Sequence, residues 1–297
     1  MTPVLEIVLQ SHGRIPDEAK LEIRNVMEDC YRRLGLQEPV VVDVIIFEDT
    51  SRMEAHLLME QEIAGAYPQG LETGFIATHE AWTGIPRILV CYERLRELNP
   101  RLRMAVIRHE AAHSVLHGSP EYYIYPVPQP LLEASAKYRL SRDHTLRILY
   151  LLAIGVKDYE ATEVLLDHGY VEDQTEYAWY FCRTGEDDTK AWRIARGDSG
   201  KEVLCLVGRF KDLACVTAVT AHQGSSIVGL TAAKKELEYL PEGSSSELLK
   251  VCASLAEMDR LDTFSKIEAV SEEIYRRLIQ PVFEANLSGK MRRDVDA

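Results

Sequence analysis

The stretch from residue 100 to residue 120 reads PRLRMAVIRHEAAHSVLHGSP, and it determines how the rest of the chain is interpreted. A helix is predicted to begin at Pro100 with Asn99 as its N-cap, because proline suits the first helical position and asparagine accepts from free backbone N–H groups. Gly118 and Pro120 are expected to end that helix. Its centre contains the pattern HExxH, flanked by uncharged residues that suit a buried position.

Within that helix, His109 and His113 are four positions apart and Glu110 lies between them. Side chains four positions apart share one face of a helix, so both imidazoles can bind one metal ion. Zn²⁺ is the expected ion, because neutral imidazole is one of its preferred ligands. Glu110 is placed to act as the general base that takes a proton from a metal-activated water. The predicted site therefore has His109 and His113 as metal ligands, Glu110 as the catalytic residue and zinc as the cofactor.

Strands and helices alternate before this helix, and helices dominate after it. The predicted strands are residues 4–9, 40–47, 74–79 and 87–92, and the first two helices are residues 16–34 and 51–66. Further helices are predicted at residues 143–154, 158–168, 172–182, 201–222, 231–240, 244–258 and 263–278, with a loop at residues 185–188. We therefore predict an α+β fold, in which a domain with a mixed sheet (residues 1–170) is followed by an all-helical C-terminal region (residues 171–297).

Residues 106–115 resemble the extended consensus of the zincin metallopeptidases, and the order of predicted elements before them is similar to the zincin fold. The resemblance implies hydrolysis of peptide bonds, with zinc activating water and Glu110 as general base. In that family an edge strand lines the cleft and pairs with the substrate backbone, and residues 74–79 are placed to match it. Metzincins would have glycine and histidine where Leu116 and Ser119 stand. The chain more closely resembles the gluzincins, in particular the small archaeal and bacterial minigluzincins and uncharacterised zincin-like proteins.

A catalytic zinc also needs a third protein ligand. His117 is a poor candidate, because the three helical positions 109, 113 and 117 span about 12 Å of rise on a straight helix. It is expected to lie at the helix end, where the helix dipole favours it.

In gluzincins the third ligand is a carboxylate from a later helix, and residues 158–162, DYEAT, resemble that pattern. Alignment on Ala161 puts Asp158 at the ligand position and Thr162 where a supporting Asp or Asn is usual. Both residues depart from the family pattern, and the shorter side chain of Asp158 requires a closer approach of its helix. The remaining carboxylates considered as ligands are Glu160, as first alternative, then Glu163 and Glu133.

Peptide hydrolysis also needs a group that stabilises the developing oxyanion. The candidates within reach along the chain are Tyr122, Tyr123, Tyr125, His168 and Tyr170. His79 and Trp82 lie near the predicted edge strand and are candidates for shaping a substrate subsite.

Composition restricts the classes of partner. The net charge of -13 disfavours binding to nucleic acid or an anionic membrane, and no apolar run reaches the roughly 18–20 residues that span a bilayer. The first ten residues do not resemble a secretory signal, and none of the six cysteines forms a CxxC pair. Free thiols in a cytoplasmic protein are therefore expected, with no cysteine-ligated zinc.

The expected partner is a peptide or protein substrate, and a homo-oligomer formed through the C-terminal helices is left open. The alternative function is a zincin-like regulatory or binding protein that has a metal site but little or no peptidase activity.

Overall fold

The computed structural model of the chain describes residues 6–35, 41–63, 75–224, 226–258 and 260–286. It divides into two compact units. The first comprises Met1–Tyr125 and Val164–Tyr177, and the second comprises Pro126–Glu163 and Ala178–Ala297. We call Val164–Tyr177 the returning segment, since the chain comes back to the first unit there. The boundary predicted at residue 170 falls inside this segment.

A mixed sheet forms the centre of the first unit, and among the described residues it has four strands in the order β1-β2-β4-β3. Strands β1, β2 and β4 are mutually parallel, whereas β3 is antiparallel to β4 and lies at the edge. Their bounds are β1 Glu6–His12, β2 Val41–Phe47, β3 Ala77–Glu80 and β4 Arg87–Cys91. The predicted edge strand is thus confirmed at its carboxyl end. Residues 4, 5, 40, 64–66 and 74 of the predicted elements lie outside the described residues.

In the described residues that precede Tyr125, the helices of the first unit are α1 Asp17–Leu34, α2 Thr50–Ile63, α3 Tyr92–Leu95 and α4 Pro100–Leu116, and the returning segment adds parts of two later helices. As predicted, α4 begins after Asn99, whose side-chain oxygen accepts from the backbone N–H of Leu102 at 3.0 Å. It ends before Gly118, where an added Cβ would lie 2.2 Å from the carbonyl oxygen of Ser114. Glycine is therefore needed at this exit. A short 3-10 helix, Pro120–Tyr123, follows.

Helix α4 is held in the first unit by two neighbours. It packs against α1, where the hydroxyls of Tyr31 and Ser114 are 2.7 Å apart in the core. The returning segment also binds it, through an ion pair between Arg108 and Asp173. Gln174 also donates to an α4 backbone carbonyl at 3.2 Å. The helix that carries HExxH is thus fixed by neighbours both before and after it in sequence.

The second unit is helical throughout the part that the structure describes. Its helices are α5 Gln129–Tyr138, most of α6 Arg142–Asp167, the end of α7 Val171–Phe181, α8 Glu186–Ala195, α9 Ser199–His222, α10 Ser226–Ala233, α11 Glu242–Leu255 and α12 Thr263–Ile274. A 3-10 turn, Lys234–Leu237, follows α10, and a π-helical turn, Tyr275–Ile279, follows α12. The fold as a whole is α+β, mostly helical with one small mixed sheet. None of the described helices is long and apolar enough to cross a membrane.

Three predicted boundaries were wrong. The helix predicted at residues 231–240 begins at Ser226 and gives way to a 3-10 turn at Lys234. Residues 143–154 and 158–168 form one helix, α6, which passes through Gly155 without a break. An added Cβ at Gly155 would lie 2.7 Å from Cε1 of Phe210, so this glycine permits close packing against α9. Residues 185–188 begin α8, where Asp188 accepts from the backbone N–H of Gly185 at 2.7 Å. Their acidic side chains favour a helix N-terminus and not a loop.

Candidate metal centre

The two histidines of the HExxH pattern meet on one face of α4. His109 and His113 are buried, with 1% and 7% of their surface exposed. Their Nε2 atoms lie 3.1 Å apart. Two nitrogens that bind one tetrahedral zinc at ~2.0–2.1 Å are about 3.3 Å from each other. The observed separation therefore fits two ligands of one ion with only a small adjustment.

Glu110 is buried on the same helix. Its carboxylate interacts electrostatically with Tyr123 of the short 3-10 helix. Burial raises the pKa of the Tyr123 phenol, and the negative charge of Glu110 raises it further. A phenol is already protonated at neutral pH at its usual pKa of about 10, so Tyr123 has a proton that it can donate.

Tyr123 is tied to the edge strand through His79. The Tyr123 hydroxyl lies 2.7 Å from Nδ1 of His79 on β3. The ring of His79 in turn stacks on that of His113, with ring centres 5.9 Å apart and planes 8° from parallel. The edge strand, the HExxH helix and the segment after it thus bring three side chains together. The sequence indicated His79 only as a subsite residue and did not connect it with Tyr123.

Two of the proposed oxyanion stabilisers have structural contacts elsewhere. Tyr170 donates to Asp29 of α1 at 2.9 Å, and its ring lies under the guanidinium of Arg108, 4.4 Å from the ring centre. His168 is exposed, and its Nδ1 donates to the carbonyl of Val164 in its own helix at 2.7 Å. These contacts connect the returning segment to the first unit and give no sign of a catalytic role.

The remaining candidates from the sequence lie around the same loop and strand. The ring of Tyr122 meets that of His117 edge-on, with centres 5.2 Å apart. Tyr125 donates to the backbone carbonyl of Tyr122. Trp82 is 43% exposed, and its indole N–H donates to Glu80 at 3.1 Å. Tyr123 is therefore the candidate whose described contacts lead directly to the HExxH residues.

His117 lies at the end of α4, as predicted, but it also has a contact that the sequence did not indicate. Its ring is buried, and its Nδ1 lies 3.1 Å from Nδ1 of His113. His113 thus faces His109 with one ring nitrogen and His117 with the other. The three imidazoles form a ladder along the helix and do not converge on one point.

Tyr177 is a site neighbour that sequence reasoning missed. Its ring stacks on that of His109, with centres 4.4 Å apart and planes 24° from parallel. It comes from the returning segment, far along the chain from α4. No motif marks this tyrosine, and helical periodicity does not reveal which helix it faces.

The predicted third ligand, Asp158, lies in the second unit on α6 and is half-buried. Within that unit, a carboxylate oxygen of Asp158 and Sγ of Cys215 lie within 4.8 Å of one another. The thiol donates to the backbone carbonyl of Asp158 at 3.8 Å. Burial raises the pKa of Cys215, and the charge of Asp158 raises it further. Carboxylate and thiolate are both zinc ligands, and the absence of a CxxC pair had directed attention away from this cysteine.

The alternative carboxylates have other described partners. Glu160 accepts from Thr263 at 2.9 Å and pairs with the buried Lys266 at 3.0 Å. The Tyr159 hydroxyl donates to Glu163 at 3.3 Å, and Glu133 is exposed on α5, where Gln129 donates to it at 3.1 Å. Glu160 therefore balances a buried lysine within the second unit.

No protein-family model, curated protein or solved structure matches the chain. The resemblance to zincins accordingly rests on the HExxH segment and on the order of strands and helices around it.

Proposed function

We propose that this chain is a zinc-dependent peptidase in which His109 and His113 hold the metal. The 3.1 Å separation of their Nε2 atoms on a buried helix face carries the proposal. Asp158 is proposed as the third ligand, as its alignment with the gluzincin pattern implies, and Glu160, which pairs with Lys266, stays the first alternative. A bound Zn²⁺ would supply Lewis-acid polarisation of the substrate carbonyl and promote ionisation of a water molecule.

Glu110 is the proposed general base. It takes a proton from water as the water oxygen adds to the carbonyl carbon of the substrate. It then gives that proton to the amide nitrogen as the C–N bond breaks, so a carboxylic acid and an amine are formed. Its burial beside the two histidines keeps the proton transfer away from bulk solvent.

Tyr123 is the proposed donor to the substrate oxygen that gains negative charge. As a phenol it is protonated at neutral pH and can donate a hydrogen bond. The hydrogen bond to His79 suits this role when Nδ1–H of His79 donates to the tyrosine oxygen, because the phenol proton is then directed elsewhere. Strand β3 lies at the sheet edge, where a substrate backbone would add as a further strand.

The substrate in this proposal is a peptide or protein, and nucleic acid is disfavoured by the net charge of -13. A cytoplasmic location is part of the proposal, because all six cysteines are free thiols, which suits a reducing compartment.

One observation favours a second candidate, a protein that holds the metal but has little peptidase activity. Both ligand histidines are almost fully buried, which leaves little of their surface to a substrate. The same metal centre would then stabilise the fold or a binding surface.

Elemental analysis and a peptide-library cleavage assay test the proposal. The wild type should bind one zinc per chain, His109→Ala should lose it, and Glu110→Gln should keep it while cleavage falls by about 10²–10⁴-fold. Glu28→Gln, which neutralises an exposed carboxylate of α1, is the matched control and should change neither result. Zinc binding without cleavage by the wild type would support the second candidate. A wild type that binds no zinc would overturn both.

A further inference from the structure

We propose that His117 is a positioning residue that fixes His113 in the tautomer able to bind the metal through Nε2. The inference rests on the proposed function, since it concerns a ligand of the proposed zinc site.

The geometry of His117 is set by the end of α4. Its backbone N–H donates to the carbonyl of His113 at 2.7 Å, so the two side chains lie on the same face of the helix, one turn apart. Its ring is 1% exposed, and the edge-on ring of Tyr122 packs against it. Gly118 then turns the chain away at a point where a side chain would collide with the helix. These contacts hold Nδ1 of His117 at 3.1 Å from Nδ1 of His113.

This contact determines which nitrogen of His113 has a lone pair. A neutral imidazole has one N–H and one lone pair, so the state of one nitrogen fixes the other. When His113 donates from Nδ1 to His117, its Nε2 lone pair points towards Nε2 of His109, where the ion fits. The opposite arrangement, in which His117 donates, puts the proton of His113 on Nε2 and blocks coordination. His117 must therefore be the acceptor.

Ligand histidines usually donate their second N–H to a carboxylate, a backbone carbonyl or water. Here an imidazole takes that place, supplied by the same helix one turn later. The HExxH pattern is in effect extended by one histidine, which acts on a ligand and does not itself bind the metal.

Two substitutions of His117 separate this role from simple packing. His117→Asn retains an acceptor, because the amide oxygen is as far from Cβ along the side chain as Nδ1 is. His117→Leu removes the acceptor and keeps an apolar side chain. Affinity for Zn²⁺ alone is measured on the full chain at neutral pH, by competition with a chromophoric chelator. The leucine variant should bind zinc about 10–100-fold more weakly, and the asparagine variant should remain within about 3-fold of wild type.

His168→Leu is the matched control, because His168 is exposed and bonds to its own helix. It should not change zinc affinity. Wild-type affinity in the folded leucine variant would overturn the inference while leaving the metal site in place. A wild type without zinc affinity would overturn the proposed function and the inference together.

If the leucine variant does not fold, ¹⁵N NMR of histidine-labelled wild type loaded with zinc decides the question. Metal should be bound at Nε2 of His113, and a ¹⁵N–¹⁵N coupling through the hydrogen bond should connect Nδ1 of His113 with Nδ1 of His117. Metal at Nδ1 of His113, or a proton on Nδ1 of His117, would overturn the inference.

Discussion

The ion pair between Arg108 and Asp173 joins α4 to the returning segment, and we expect its two partners to differ in how much stability their loss costs. The side chains are 15% and 7% exposed. Arg108 has further favourable neighbours, since it lies 3.9 Å from Asp29 and over the ring of Tyr170. Burial raises the pKa of Asp173 in spite of the opposing charge of Arg108. The buried surroundings of Asp173 therefore disfavour the ionised form of its carboxyl group.

The magnitudes follow from what each substitution leaves behind. Arg108→Met leaves a buried carboxylate without its cation, and should lower the free energy of unfolding by about 3–5 kcal/mol. Asp173→Asn removes the charge but keeps the shape, and Arg108 retains Asp29 and Tyr170. Its cost should be about 1–2 kcal/mol. Arg103→Met removes a more exposed arginine of the same helix, paired with Glu22 at 3.5 Å, and should cost about 0–1 kcal/mol.

Urea unfolding followed by circular dichroism measures the three variants against wild type. The expected order of loss is Arg108→Met, then Asp173→Asn, then Arg103→Met. The reasoning would be refuted if Asp173→Asn lowered the free energy of unfolding as much as Arg108→Met, or more. That result would show that the interactions of the Asp173 carboxylate stabilise the fold by more than its burial costs.

Three further predictions concern the second unit. Gly155→Ala should lower the thermal midpoint, with a cost of about 1–3 kcal/mol, because the new Cβ would meet Phe210. Gly208→Ala is the control, because nothing lies within 4 Å of a Cβ added at this position of α9, and it should stabilise the protein by about 0.5–1 kcal/mol. A loss of stability at both positions would refute the packing argument. Cys205 is half-buried whereas the other cysteines are buried, so Ellman's reagent should modify it first, in a rapid phase of the reaction. Cys205→Ser should remove that phase, and its persistence would contradict the assignment. Burial lowers the pKa of His144 below its usual 6.5, so the unfolded chain takes up a proton more readily. Stability should therefore fall as pH drops below 6.5, and His144→Gln should reduce that fall in urea midpoints. An unchanged slope would exclude His144 as its source.

Features that depend on local sequence could be predicted. The start of α4 followed from Asn99 and Pro100, and its end from Gly118, because caps and helix stops act within a few residues. The meeting of His109 and His113 followed from helical periodicity alone. The edge position of β3 followed from the order of the elements and the resemblance that it supported.

Features that depend on partners far along the chain could not be predicted from the sequence. Periodicity shows that a helix has an apolar face, but it does not identify what covers that face. The contacts of Tyr177 with His109 and of Cys215 with Asp158 therefore had no signal in the sequence. The break predicted between residues 154 and 158 was wrong for the same reason, because the role of Gly155 depends on the closeness of α9 and not on its own helix.

The first unit is discontinuous in sequence, and this has a consequence for how the protein is made. The residues of the returning segment that contact α4, Asp173, Gln174 and Tyr177, are synthesised some sixty residues after the helix they bind. At about 5–20 residues per second, the nascent chain spends several seconds with α1, the sheet and α4 already made but without that support. During this interval it must also produce residues 126–163 of the second unit. We therefore expect the first unit to complete its folding only after much of α6 has emerged from the ribosome, with the closure entropy of that long segment slowing the step.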